Sequence, residues 1–87
     1  MNRQLVLVDM PNVDDPGTWE STILPYDGPD DIRRAHDMML ERVDEITEGD
    51  MDAQEEVKRR MRNNSISVRY EIGDGMIALL PAEEWTG

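Results

Sequence analysis

The chain has 87 residues, enough for one domain with a thin core of two layers, because domains rarely fall below about 50 residues. Twenty acidic residues against nine basic ones give a net charge of −11, which excludes nucleic-acid binding or membrane attachment through a generally basic surface. Cysteine is absent, which excludes disulfides, thiolate zinc sites and a cysteine nucleophile. We expect a single domain over residues 1–87.

The first third of the chain predicts one covered strand and one edge strand. Residues 4–10 are apolar on both sides of an extended strand, which is typical of a central or covered strand, and Pro11 ends it. Residues 12–17 are turn formers throughout. A second strand is predicted over residues 18–24, and Pro25 restricts it to an edge of the sheet because proline has no N–H to donate.

Two helices are predicted in the middle of the chain. The first spans residues 29–48, because Pro29 suits the first helical position and Gly49 provides a C-terminal stop. The second spans residues 51–62, with Asp50 as its N-cap.

The last part of the chain predicts a β-hairpin. Residues 65–72 alternate between apolar and polar positions, residues 73–75 form the turn, and residues 76–80 return as a strand. Residues 81–87 are expected to be a loose tail unless Trp85 packs on the core. The order β(β)ααββ predicts an α+β fold, with a small antiparallel sheet of three to four strands packed against two helices.

Membrane insertion and export are not expected. No apolar run approaches the ~18 residues of a membrane span. The run at residues 5–8 is too short for the core of a signal peptide. We therefore expect a cytoplasmic protein, in the host cell if a phage encodes it.

The residues that most often perform catalysis do not form a recognisable site. The single histidine, His36, falls at the edge of an apolar helix stripe, and residues 73–75 join two strands rather than cradle a phosphate. The acids of residues 12–17 and 50–52 suit turns and capping better than a calcium loop. In the basic run at residues 58–62, two charges have acidic partners one turn earlier, and no aromatic residue is interleaved. We expect a protein that is not an enzyme, with no catalytic residues, metal, cofactor or direct nucleic-acid contact.

One feature of the first predicted helix separates it from an ordinary surface helix. At about 100° per residue, its apolar residues form a stripe about 80° wide. A second stripe, about 100° wide and almost opposite, is acidic. Its members, which we predict to bind a partner, are Asp30, Asp37, Glu41, Asp44, Glu45 and Glu48. Several of them are like charges four residues apart, an arrangement that destabilises a helix.

The acidic stripe has two interpretations beside an ordinary solvated face. Carboxylates one helical turn apart are close to the spacing of phosphates along a nucleic-acid strand, so the stripe can mimic nucleic acid in a basic channel of another protein. Alternatively, the chain is a small structural or interaction subunit whose acidity reflects a high-salt habitat, since Lys58 is its one lysine and acids also lie outside the helix.

In size, charge and predicted architecture the chain resembles small acidic inhibitors encoded by phages, such as anti-CRISPR, anti-restriction and uracil-glycosylase inhibitor proteins. The resemblance involves no shared residue motif, so it implies no residue roles. It implies a non-enzymatic inhibitor that blocks the basic nucleic-acid-binding site of a nucleic-acid-handling protein. A homodimer is a further state that the sequence leaves open.

Overall fold

Four antiparallel strands and two helices make up the regular structure of residues 3–85, the part of the chain that the structure, a computed structural model, describes. Their order confirms the predicted α+β fold. The elements are β1 (Arg3–Met10), β2 (Glu20–Tyr26), α1 (Pro29–Thr47), α2 (Met51–Arg60), β3 (Val68–Ile72) and β4 (Gly75–Pro81). The sheet has the strand order β2-β1-β4-β3.

Strand β1 is central, as its two apolar faces predict. Leu5 pairs with Leu24 of β2 on one side and with Pro81 of β4 on the other. Leu5 faces the helices, whereas Val6 faces the opposite side of the sheet, and both are buried. Burial on both faces of the sheet therefore explains why residues 5–8 are all apolar.

The two helices cover one face of the sheet and form the larger core with it. Helix α1 packs over β1, β2 and β4, and α2 packs beside it against β3. The core contains no phenylalanine, and Met39 is completely buried at its centre. The buried residues of this core are Leu5, Leu7, Ala35, Met39, Val43, Ala53, Val57, Met61, Val68, Ile77 and Leu79.

The opposite face of the sheet is covered by a pair of tryptophans. Trp19 and Trp85 pack on a second apolar cluster that includes Val8 and Leu80, with their ring centroids 5.8 Å apart. The indole N–H of Trp19 donates to the carbonyl oxygen of Asn12 at 2.9 Å. Burial of aromatic area beside a satisfied N–H stabilises this face.

The packing of Trp85 determines the arrangement of the C-terminal segment. Strand β4 extends to Pro81, Ala82–Glu84 form a short 3-10 turn, and Trp85 docks on the sheet. The sequence predicts a loose tail unless Trp85 packs on the core, and Trp85 does pack, so the segment up to Trp85 is ordered. Residues 86 and 87, the end of the predicted tail, lie outside the described residues.

Strand β2 begins and ends two residues later than the sequence predicts. Pro16–Thr18 form a 3-10 turn, and the side chain of Asp15 accepts the N–H of Gly17 at 3.3 Å. This local hydrogen bond holds residues 16–18 out of the sheet. Pro25 lies inside β2, and the strand is an edge strand as predicted.

Strand β3 is three residues shorter than predicted. The hydroxyl of Ser65 donates to the carbonyl oxygen of Ser67 at 3.1 Å, which is a local alternative to pairing with β4. Ile66 nevertheless packs against the helix-side core, as the alternation predicts. The helices are also shorter than predicted, α1 by one residue and α2 by two.

Candidate functional site

The candidate site is the outer side of α1. Because Ala35, Met39 and Val43 of this helix are buried against the sheet, the opposite side of α1 points away from the molecule. All six acids predicted to bind a partner are exposed there. We call them the acidic face: Asp30, Asp37, Glu41, Asp44, Glu45 and Glu48.

Two members of the acidic face have basic partners on the same helix. Asp30 lies 3.6 Å from the guanidinium of Arg33, a fully solvated pair that contributes little. Glu45 lies 2.9 Å from Nη1 of Arg42. Arg34 falls within the angular range of the acidic stripe at about 100° per residue, but its guanidinium lies 4.0 Å from Asp31, a long separation for an ion pair.

The other four members form no ion pair among residues 3–85. They are Asp37, Glu41, Asp44 and Glu48. Within the helix, spacings of three or four residues place the β-carbons of Asp37, Glu41 and Asp44 about 5–6 Å apart, and Glu48 follows directly after the helix. The unpaired part of the acidic face is therefore a row of negative charges along the outer side of α1 and just beyond its end.

The acids at the C-terminal end of the row also destabilise the helix through its dipole. The last turn of α1 contains no basic residue, although its free carbonyl groups favour cations. Glu48 follows the helix as its C-cap in the left-handed conformation, with φ of 55°, and its N–H donates to the carbonyl oxygen of Asp44. Each acid near this helix end costs about 0.3–1 kcal/mol at an exposed position.

Helix α2 has the opposite arrangement and serves as an internal comparison. The side chain of Asp50 accepts the N–H groups of Asp52 and Ala53, as predicted for its N-cap. Three basic residues occupy its last turn. Charges at both ends of α2 therefore follow the dipole, whereas those of α1 follow it in the first turn, at Asp30 and Asp31, but not at the C-terminal end.

An ion pair fixes the middle of α1 to the sheet. Nε of Arg42 donates to Oδ2 of Asp9 on β1 at 2.8 Å, and Nη2 donates to the same oxygen. The hydrogen bond that Arg42 donates to Asp9 is the main cause that raises the pKa of Arg42 above its usual value, with a smaller contribution from Glu45. The contact orients the acidic face relative to the core. Sequence reasoning missed it because Asp9 lies 33 positions earlier in the chain.

Two of the four basic residues in the run at residues 58–62 are engaged within the molecule, Arg59 and Arg60. Glu56 binds both Arg59, at 2.6 Å, and Arg60, at 3.2 Å. An acid four residues before a base is a favourable helical pair, so the spacing predicts Glu55 with Arg59 and Glu56 with Arg60. The second pair is present, whereas Arg59 pairs with Glu56. Arg60 also donates to a backbone oxygen of β3 and lies 5.4 Å from the centre of the Tyr70 ring.

The remaining polar candidates have structural contacts. Nε2 of His36 lies 2.6 Å from the carbonyl oxygen of Ser65, a hydrogen bond that joins α1 to the connection after α2. The carboxamide of Asn12 accepts the N–H of Asp14 within the turn that follows β1. Among residues 3–85, no group of three or more histidine, aspartate or glutamate side chains is placed to hold a metal ion. No helix in the same range is long and apolar enough to cross a membrane.

Comparisons with models of protein families, with curated proteins and with solved structures gave no match.

Proposed function

We propose that the protein is a non-enzymatic inhibitor whose acidic face occupies a basic nucleic-acid-binding site on a partner protein. The observation that carries this proposal is the row of Asp37, Glu41 and Asp44 on α1 and Glu48 at its C-cap, all exposed and without ion pairs among residues 3–85. A cationic channel supplies the counter-charges that the fold does not, and complementary charge speeds association.

The partner is a nucleic-acid-handling protein. Carboxylates one helical turn apart imitate the spacing of backbone phosphates. An α-helix is also narrow enough to enter a groove that binds a nucleic-acid strand. The small size and the net charge of −11 are typical of phage-encoded inhibitors that act on CRISPR or restriction nucleases, and we place the protein in this class.

The test is reversal of the row. A variant with lysine at all four unpaired positions is compared with a matched control that reverses four exposed acids elsewhere, which makes the same change in net charge. The control positions are Asp14, Glu55, Glu83 and Glu84. Each tagged protein is used to capture proteins from a host lysate at ~0.05 M salt, followed by elution at ~0.5 M.

Wild type and control should capture the same partner, and the four-lysine variant should not. The captured protein should lose its binding to DNA or RNA when wild type is added, measured by gel shift. Loss of capture by the control as well, or a captured protein that still binds nucleic acid, would contradict the proposal.

The alternative is a small structural or interaction subunit from a high-salt habitat. It is favoured by the acids outside the acidic face and by the presence of one lysine in the chain. Circular dichroism across ~0.02 M to ~3 M KCl separates the two, because the Debye length falls to about 3 Å at 1 M. Folding only above ~1 M would support the alternative, and full folding at the lowest salt would remove its basis.

A further inference from the structure

Strand β2 forms an open edge that is uncharged from Ser21 to Tyr26, on a highly acidic molecule. In the strand order β2-β1-β4-β3, no strand among residues 3–85 covers its outer side. Residues 21–26 carry no charge, although the whole chain has a net charge of −11. Ile23, in the middle of this run, is 60% exposed. An edge strand with free N–H and C=O groups is a template for another strand.

The other edge of the sheet is protected. Strand β3 carries the charged residues Arg69 and Glu71. The backbone oxygen of Arg69 already accepts a hydrogen bond from Arg60 at 2.6 Å. Charged side chains and occupied backbone groups are features that discourage pairing at an edge. The two edges therefore differ, because β2 has six successive uncharged residues, whereas β3 has charged residues in its middle.

The position of Pro25 indicates which groups of β2 point outward. Pro25 lies opposite Gln4 within the β1–β2 pair. A proline in an edge strand occupies a position whose N–H would face away from the sheet. Because backbone direction alternates along a strand, the N–H and C=O groups of Ser21 and Ile23 also point outward, while those of Thr22 point to β1.

We propose that β2 pairs antiparallel with β2 of a second copy of the chain, with Ile23 opposite Ile23 of the partner subunit. In this register Ser21 lies opposite Pro25 of the partner subunit. Each Ile23 N–H donates to the carbonyl oxygen of the other Ile23, and each Ser21 N–H donates to the carbonyl oxygen of the opposite Pro25. The missing N–H of proline then removes only one hydrogen bond at each end.

A second copy fits this edge because the pairing is self-complementary. The register has two-fold symmetry, which is the commonest symmetry of soluble dimers. Glu20, the acid of β2, falls opposite Tyr26 of the partner subunit, so no like charges meet within the strand pair. The two Ile23 side chains lie together on the face of the sheet that carries the tryptophans, since Ile23 pairs with Val6 of β1.

Association of this kind has a distinctive dependence on salt. Two copies repel each other through their net charges of −11, so screening strengthens the dimer. Binding of the acidic face to a basic partner weakens with salt instead. The dimer is therefore independent of the proposed inhibitory function, and failure of one does not imply failure of the other.

Sedimentation equilibrium of the full chain tests the dimer at protein concentrations up to ~1 mM, where weak association with a Kd near that value is detected. Measurements at ~0.01 M and ~1 M NaCl bracket Debye lengths of about 30 Å and 3 Å. At high salt the mass should approach twice the 10.0 kDa of one chain. At low salt it should stay close to the monomer.

Two lysine variants make a matched pair for this experiment. Ile23→Lys should weaken the high-salt dimer at least tenfold, because it removes the apolar contact between the two Ile23 side chains, which salt does not screen. Met51→Lys adds the same charge at a residue that is 75% exposed on α2, and it should leave association unchanged or stronger. A wild type that is monomeric in both salts, or equal weakening by both variants, would overturn the proposal.

A third variant, Ser21→Pro, tests the register. It removes two of the four intermolecular hydrogen bonds and, if the outward orientation is right, none within the monomer. Circular dichroism should show the native fold, and the high-salt dimer should weaken at least tenfold. An unfolded Ser21→Pro protein, or one that associates like wild type, would contradict the register.

Discussion

Replacing Glu41 with lysine should stabilise the protein, although it removes the centre of the acidic face. Glu41 has acidic neighbours within one turn at Asp37, Asp44 and Glu45, and it forms no ion pair among residues 3–85. Like charges at these spacings cost ~0.2–0.5 kcal/mol each, and opposite charges gain similar amounts. Reversal changes the sign of all three interactions. Because Arg42 already pairs with Glu45, we expect the free energy of unfolding to rise by about 1–2 kcal/mol.

Thermal melting at low salt measures this gain, since each kcal/mol shifts Tm by roughly 4–8 °C in a domain of this size. Glu41→Gln is the control, because it removes the repulsion without adding attraction and should give about half the shift. At ~1 M salt both shifts should nearly vanish. A destabilised Glu41→Lys protein, or a shift of the same size at high salt, would show that the row is not a site of electrostatic repulsion.

Three further predictions concern stability and are checked by urea unfolding at pH 7. Glu48→Gly should raise the free energy of unfolding by roughly 0.5–1 kcal/mol, because glycine adopts the φ of 55° without a steric cost, and an unchanged midpoint would contradict this. Arg42→Met should cost about 1–3 kcal/mol, since it leaves the carboxylate of Asp9, 13% exposed, without its partner. Adding Asp9→Asn should recover part of that loss, and no recovery would place the cost elsewhere. Gly75→Ala should cost about 1–3 kcal/mol, because a β-carbon there would lie 2.6 Å from the carbonyl oxygen of Met10, and a neutral result would show that the backbone yields easily.

Features of the fold that depend on burial and on helix capping could be predicted from the sequence. The central position of β1 follows from its two apolar faces, and the start of α2 follows from Asp50. The boundaries of β2 and β3 could not be predicted from periodicity. Each begins later than expected, because a short-range hydrogen bond of Asp15 or Ser65 competes with pairing in the sheet.

The acidic face could be predicted to a similar extent. Helical geometry alone predicted five of its residues on the exposed side of α1, whereas Glu48, the sixth, is exposed but lies just beyond the end of the helix. Which of these acids form ion pairs could not be predicted in the same way, because one arginine can reach several acids. Arg42 reaches both Glu45, three residues away, and Asp9 on β1. The spacing of Arg42 and Glu45 is a signal that could have been used, whereas the contact with Asp9 requires the fold.

The contrast between the two helices bears on which explanation of the acidity is better. Screening by strong salt acts on every exposed charge, so a high-salt habitat relaxes the placement of charges in α1 and α2 alike. In α2, however, Glu56 pairs with two arginines, and the last turn is basic, as helix stability requires. Of the two helices, only α1 carries a row of successive acids without ion pairs, and only α1 has no base in its last turn. A cause confined to one helix explains this difference better than a property of the solvent, and a binding surface on α1 is such a cause.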